Sequence, residues 1–292
     1  MIDYSTALKT LNEVKTSFTY PIFIPSLGRE VRFMQMTTAQ QKAFVKISML
    51  NPAAQGIAFA TAARSLMLET CAESIDIDNL TILDRIVICL MIRIMSVGNT
   101  MEVSIDTNES DEAEEDENKN KSDSFSINVD LGNLYNKVIT EYVKVNTARQ
   151  TIAIDGCPVS IQISIPTIKE EAKIIPMLDN VAKVDNDDQN GEKYAQVFSD
   201  TFYTELIKYI RVVTIKNDTT QETTTIDFSE LSPKQMLDVS LNIPASVTSA
   251  MMLKVNQLIS SINSLTMFNV KHLGKEYNYN VEVLSSNFFI TL

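Results

Sequence analysis

His272 is the only histidine in 292 residues, so any imidazole base must be this one. It sits in Lys271-His272-Leu273-Gly274, a turn-like stretch, where folding alone would have to bring it a nucleophile and an orienting acid. Neither a Gly-x-Ser-x-Gly elbow nor a Cys–His signature accompanies it. Asn186-x-Asp188-x-Asn190-Gly191 opens like a calcium loop, but its twelfth position is Val197, where a bidentate glutamate is required. That stretch reads as a polar turn. Glu170 and Glu171 are neighbours on a predicted helix and point apart, as a solvated first turn complementing the helix dipole would. Cys71, Cys89 and Cys157 are odd in number and widely spaced, which predicts buried free thiols of a reducing compartment. The seven glycines never come closer than 24 positions, so no glycine-rich phosphate loop exists, and a single histidine cannot build a multi-histidine zinc site. These residues imply no cofactor, no metal and no catalytic set. An enzyme of unrecognised type, centred on His272 or the carboxylates, is the residual alternative.

The elements that would position such residues belong to a foldable chain. The apolar fraction is 45% and the charged fraction 21%, near the globular average. This length supports one large domain or two smaller ones. The longest apolar run, Ile86 to Ile92, is far short of a bilayer span. Met1-Ile2-Asp3-Tyr4 lacks a basic start and a signal core, so the expectation is a soluble protein without a membrane partner. The net charge is −12, but Asp106 to Asp123 holds nine acidic residues and two lysines, a net of −7. The other 274 residues carry only −5. Overall acidity argues against a nucleic-acid partner, which needs clustered lysine and arginine.

Leu8, Leu11 and Val14 lie at helical spacing and predict an amphipathic helix over 1–17 that docks on something. Residues 18–146 form a hairpin-helix region. Runs around Phe18–Ile24 and Arg29–Met34 flank a turn at Gly28. Thr38 with Gln41 forms a capping-box pattern that opens a helix to about Leu50. Helices follow over about 53–73 and from Thr81 to just before Gly98, the latter apolar on every face at its centre, as a core helix is. Runs 101–105 and 125–129 alternate, so the acidic insert 106–123 reads as an expanded hairpin loop. A helix is expected from Leu131 to about Val145.

Residues 147–292 form a second hairpin-helix region, which could be continuous with the first. It begins with a hairpin turning at Asp155-Gly156 and a helix capped by Thr167 with Glu170. So 19–50 and 151–179 share one plan, a weak architectural repeat. A helix over about 193–209 stacks Tyr194, Phe198, Phe202 and Leu206. Residues 211–216 and 223–228 read as one more hairpin, Ser232-Pro233 as a helix start, and Pro244 to about Leu265 as a long helix. The end reads as a hairpin turning at Gly274 and closing on Phe288-Phe289. The fold class is α+β, hairpins alternating with helices.

Two surfaces are candidates for binding. The insert residues Asp111, Glu112, Glu114, Glu115, Asp116 and Glu117 could dock on a basic partner. From Pro244 to Val270 the only charge is Lys254. The face carrying Asn256, Ser260 and Asn263 is therefore a candidate for packing on another subunit, since interface cores are depleted of charge.

Four segments carry a resemblance: Phe23-Ile-Pro-Ser-Leu-Gly28-Arg-Glu-Val-Arg-Phe33; Cys71 through Ile77–Asp84 to Arg93-Ile-Met-Ser-Val-Gly98; Ile163-Ser-Ile-Pro166-Thr167; and the terminal segment ending in Phe288-Phe289. In this order, from about residue 18 onward, they resemble the baseplate hub family of T-even-type contractile-tailed bacteriophages, which includes hub subunits and a hub-assembly factor. The acidic insert and the 185–192 loop depart from the pattern. The resemblance implies a structural or assembly role in the hub, without enzymatic activity. The implied partners are other hub or spike proteins and the tape-measure protein. The implied location is the virion tail baseplate, with assembly in the host cytoplasm. A tail-assembly chaperone for the tape-measure protein, absent from the finished virion, is the nearest alternative.

Overall fold

A computed structural model of the chain describes residues 3–106, 124–182, 203–217, 220 and 222–290. Helix α1 (Tyr4–Ser17) leads into hairpin β1 (Thr19–Ile24) and β2 (Arg29–Met34). Helices α2 (Thr38–Ser48), α3 (Pro52–Thr70) and α4 (Ile82–Ser96) follow. Hairpin β3 (Thr100–Asp106) and β4 (Ser124–Asp130) precedes α5 (Leu131–Glu141). Strands β5 (Gln150–Ala153) and β6 (Val159–Ile163) precede α6 (Ile168–Ala182). Strands β7 (Ile210–Lys216) and β8 (Thr223–Asp227) come next, then α7 (Pro233–Leu241) and α8 (Ala245–Thr266). Hairpin β9 (Met267–His272) and β10 (Lys275–Asn280) ends in a 3-10 turn, Ser286–Phe289. The class is α+β, as the residue pattern predicts.

Much of this is local chemistry. Thr81 and Asp84 form a reciprocal capping box on α4, and Thr167 and Glu170 exchange the same two bonds at the start of α6. At α2 the box is one residue earlier than expected: Thr37, not Thr38, is the cap, and Gln40 closes it. The chain just before is pinned by Met36 N–H donating to Ser96 Oγ. Gln41 is used instead to donate to the Phe289 carbonyl. Gly28 closes the Pro25–Leu27 turn at φ 61°, where a side chain would be strained. At Gly132 a Cβ would lie 2.9 Å from Asn99 Oδ1, so that exposed side chain would have to shift.

Several expectations change on folding. The two C-terminal hairpins are one antiparallel sheet, β5-β6-β7-β8, because β6 pairs with β7. The two units of the suggested repeat do share hairpin-then-capped-helix order, but β1–β2 stands alone as a two-stranded sheet while β5–β6 is half of a larger one. Of the helix expected over 193–209, residues 203–207 are helical and β7 begins at Ile210; Tyr194, Phe198 and Phe202 lie outside the described residues. Phe288 and Phe289 sit beyond the last hairpin, in the 3-10 turn, where Phe289 stacks on Phe44 at 4.3 Å. Of the thiols, Cys89 is buried and pushed up to about 12 by that burial, whereas Cys71 and Cys157 are only half-buried.

Helix α4 is the centre of the core, with Ile82 through Leu90, Ile92 and Arg93 all buried. Three of those buried residues are charged, and each reaches a distant segment. Asp84 Oδ1 accepts the Ser26 N–H at 2.9 Å, docking the Pro25–Leu27 turn. Arg93 donates to the Phe288 carbonyl at 2.8 Å and the Gly98 carbonyl at 2.9 Å. Arg85 pairs bidentately with Glu171 of α6. The starts of α4 and α6 also meet through backbone. Thr81 and Thr167 form an antiparallel bridge, with Ile82 N–H donating to Pro166 and Ile168 N–H to Leu80.

Glu170 and Glu171 are thus not a solvated first turn. Glu171 is taken by Arg85, with Lys208 3.9 Å away, and Glu170 by Arg211 at 2.8 Å. Burial pushes the Glu171 carboxyl up, but the charge and hydrogen bonds of Arg85, with Lys208, outweigh it and hold the carboxyl below its usual range. Burial pushes Lys208 down, and Glu205 and Glu171 outweigh that, holding it above its usual range. Both groups are therefore held in their charged forms.

Glu171→Gln should destabilise the protein by about 3–5 kcal/mol near neutral pH, since Arg85 is left buried without its counter-ion. Because the folded pKa of Glu171 is lowered, its contribution is full above the unfolded carboxyl value and lost as pH falls through the folded value. Urea unfolding across a pH series should therefore show wild type and variant converging in acid. The double variant Arg85→Met/Glu171→Leu should recover much of the loss, because Arg85 Nε has no hydrogen-bond partner among the described residues.

Candidate interaction surfaces

The outer face of α8 is the clearest surface. Its inner stripe, Val247, Met251, Val255, Leu258, Ile262 and Leu265, is buried as the spacing predicts. The helix ends where Lys137 of α5 donates to the carbonyls of Ser264 and Met267, completing the last turn. Asn256, Ser260 and Asn263 all face outward and are exposed. The sequence reading missed their neighbours Leu253, 61% exposed, and Met267, 36% exposed. Leu253, Asn256, Ser260 and Asn263 follow one another at steps of three and four, so they make one uncharged seam along the helix, with Met267 just beyond it at the start of β9. That spacing was present in the sequence; what hid it was the mixture of apolar and polar types along it.

A second surface is α1. It forms the predicted amphipathic helix, capped by Asp3. Its stripe is not covered by the described residues: Leu8, Leu11, Val14 and Phe18 are all exposed. That stripe is therefore not part of the core formed by the described residues.

The β3–β4 and β9–β10 hairpins meet at a third surface. Strands β3 and β4 stay paired out to Asp106 and Ser124, so the acidic insert joins two hydrogen-bonded strands. Asp111, Glu112, Glu114, Glu115, Asp116 and Glu117 themselves lie outside the described residues. At the root of the insert, Phe125 stacks flat on His272, with centroids 3.9 Å apart and planes at 7°, and Tyr277 meets Phe125 edge-on. The His272 ring is thus a stacking partner, on a residue paired with Lys275 in the β9–β10 hairpin. The calcium-like stretch from Asn186 also lies outside them. Among the described residues no cluster of histidine, cysteine, aspartate or glutamate has a geometry that could hold a metal.

General acids and bases are tuned toward neutrality, whereas Glu171 and Lys208 are driven away from it. No single helix among the described residues is long and apolar enough to cross a membrane.

An α+β body pinned by internal ion pairs, with uncharged and partly apolar outer faces, has the makings of a structural protein that works by contact. The chain belongs to the T4 bacteriophage base plate protein family, whose model matches residues 16–288. No curated protein and no solved structure matches it significantly. Family membership gives the chain a structural role in a phage tail baseplate, among other baseplate proteins.

The α8 seam makes a prediction about folding alone. Ser260 and Asn263 touch solvent in the isolated chain, so the double variant Ser260→Lys/Asn263→Lys should change the unfolding free energy by no more than about 0.5 kcal/mol. A urea titration measures this.

Proposed function

We propose that this chain is a structural or assembly component of the central hub of a contractile-tail baseplate. It acts by protein–protein binding, with no catalytic turnover, no cofactor, and no nucleic-acid or membrane partner. The observation that carries the reading is the uncharged seam Leu253–Asn256–Ser260–Asn263, exposed on a helix whose other face is buried. Charge depletion over an exposed helix is costly for solubility and suits the core of an interface. The hub assignment is supported by the four motif segments, which in the fold contact one another. Ser26 meets Asp84, Pro166 and Thr167 meet Ile82 and Thr81, and Phe288 meets Arg93. Hub and spike proteins are the partners in this reading, with assembly taking place in the host cytoplasm.

The second reading, a chaperone that holds the tape-measure protein and leaves before completion, draws on α1. An uncovered amphipathic helix is a common means of gripping another apolar helix. Mass spectrometry of purified virions separates the two. The hub reading expects the chain at stoichiometric level with cross-links to hub neighbours; absence from virions but capture with the tape-measure protein in infected cells supports the chaperone.

The Ser260→Lys/Asn263→Lys protein should fold and yet fail to enter baseplates, because two cations would be buried in the contact. Normal incorporation would remove the seam from the interface. The acidic insert is assigned to electrostatic docking on a basic partner surface. Deleting 107–122 should slow assembly at low salt and matter little at high salt, where the field is screened. Equal assembly rates at low salt would leave the insert as a solubilising loop.

A further inference from the structure

The exposed seam of α8 extends toward the start of the helix. Ser246, Ser249, Leu253, Asn256, Ser260 and Asn263 are all exposed and follow one another at alternating steps of three and four. That repeat of seven is the spacing along which two helices stay in contact. No charge falls on it, and Lys254, the one charge of the helix, lies off it. Its polar side chains are free. Ser261 and Ser264, beside the seam, bond back to carbonyls of their own helix. Ser246, Ser249, Asn256, Ser260 and Asn263 make no side-chain hydrogen bond among the described residues.

The two ends of α8 differ. Lys137 closes the last carbonyls. The start follows Pro244 with no side-chain cap and no acidic residue in the first turn. Its first N–H groups and the positive end of the helix dipole are therefore unanswered. The free amide at the far end of the seam, Asn263, is of the type that caps helix starts best. Within one chain it is about 25 Å from Ser246, too far to serve.

A second copy laid antiparallel removes that separation. Ser246 then faces the partner's Asn263, Ser249 the partner's Ser260, and Leu253 the partner's Asn256. Each contact occurs twice about a two-fold axis, so the seam is its own complement over its whole length. A larger side chain faces a smaller one, or two serines meet and let the backbones approach. Each uncapped start lies beside the partner's helix end, where the dipoles offset. A parallel pair would instead set Leu253 on Leu253, place both uncapped starts together and align the dipoles side by side.

We propose that the α8 seam is a homotypic contact, in which two copies of this chain pack their α8 helices antiparallel. The proposal rests on the reading of this seam as an interface and names its occupant. Two helices of this length bury on the order of 1,000 Å², at the low end for a specific interface, so the dimer is reversible with a Kd of about 10 μM. The seam itself is uncharged, whereas each chain carries −12. Salt screens that repulsion and tightens the dimer.

The test uses the full chain. Sedimentation equilibrium should show a monomer–dimer equilibrium that shifts toward dimer at high salt. Ser260→Lys/Asn263→Lys should weaken it at least about tenfold, since four cations would enter one dry contact. Register is read by cross-linking. Chains with Ser249→Cys mixed with chains with Ser260→Cys should form a disulfide on mild oxidation, and neither should do so alone beyond the wild-type background from Cys71, Cys89 and Cys157. Self-linking of Ser249→Cys would overturn the antiparallel packing, and association unchanged by the lysine pair would overturn the seam. A chain that stays monomeric throughout, while its lysine variant is still excluded from baseplates, would overturn the dimer and leave the seam to another baseplate protein. A cross-linked dimer of a chain absent from virions would support the dimer and remove the hub subunit reading.

Discussion

Three charged side chains are buried on the most apolar helix of the protein, and the remaining architecture is arranged to satisfy them. Asp84, Arg85 and Arg93 are at most 4% exposed. Leaving any of them unpaired there would cost several kcal/mol, more than most single contacts can offset. Each finds its partner in a different part of the chain: the Ser26 turn, Glu171 on α6, and the Phe288 carbonyl at the C-terminal end. Apolar burial drives collapse but carries little direction. The ions and hydrogen bonds on α4 supply the direction, since only one docking of each segment satisfies them.

The same junction explains why α4 and α6 begin side by side. Each helix start is closed by its own capping box, and their flanking backbones then pair across Thr81 and Thr167. Arg85 and Glu171, the fourth residues after the caps, face each other one turn further in. Segments more than 80 positions apart in sequence are thereby held in one register. Such pinning fixes the relation between α8 and the four-stranded sheet. Both are held by the core, whereas the α1 stripe lies on a helix outside it.

The physical consequence for function is a division between interior and exterior polarity. Inside, Glu171 and Lys208 are paired and held in their charged forms. On the outside, the α8 face carrying Asn256, Ser260 and Asn263 is exposed and uncharged. The strongly charged segment is confined to the loop between β3 and β4. His272, which from sequence is the sole candidate base, spends its ring on Phe125.

How much of this was legible beforehand follows the range of each interaction. The capping boxes at Thr81 and Thr167, the hairpin partners of Gly28 and Gly274, and the buried stripe of α8 depend on residues within a turn or two, so spacing alone determined them. The choice of Thr37 over Thr38 did not follow from spacing, because both sit three residues before a glutamine and Ser96 decides between them. Glu170 and Glu171 looked solvated because their arginines are far away in sequence. The joining of two hairpins into one sheet rests on β6–β7 pairing, with no local signal. Sequence by itself determined most of the elements, the caps at Thr81 and Thr167, and the absence of phosphate-loop and zincin motifs. Tertiary structure alone decided which charges are buried and which helix face looks outward, because those depend on neighbours that only the folded chain brings within a few ångströms.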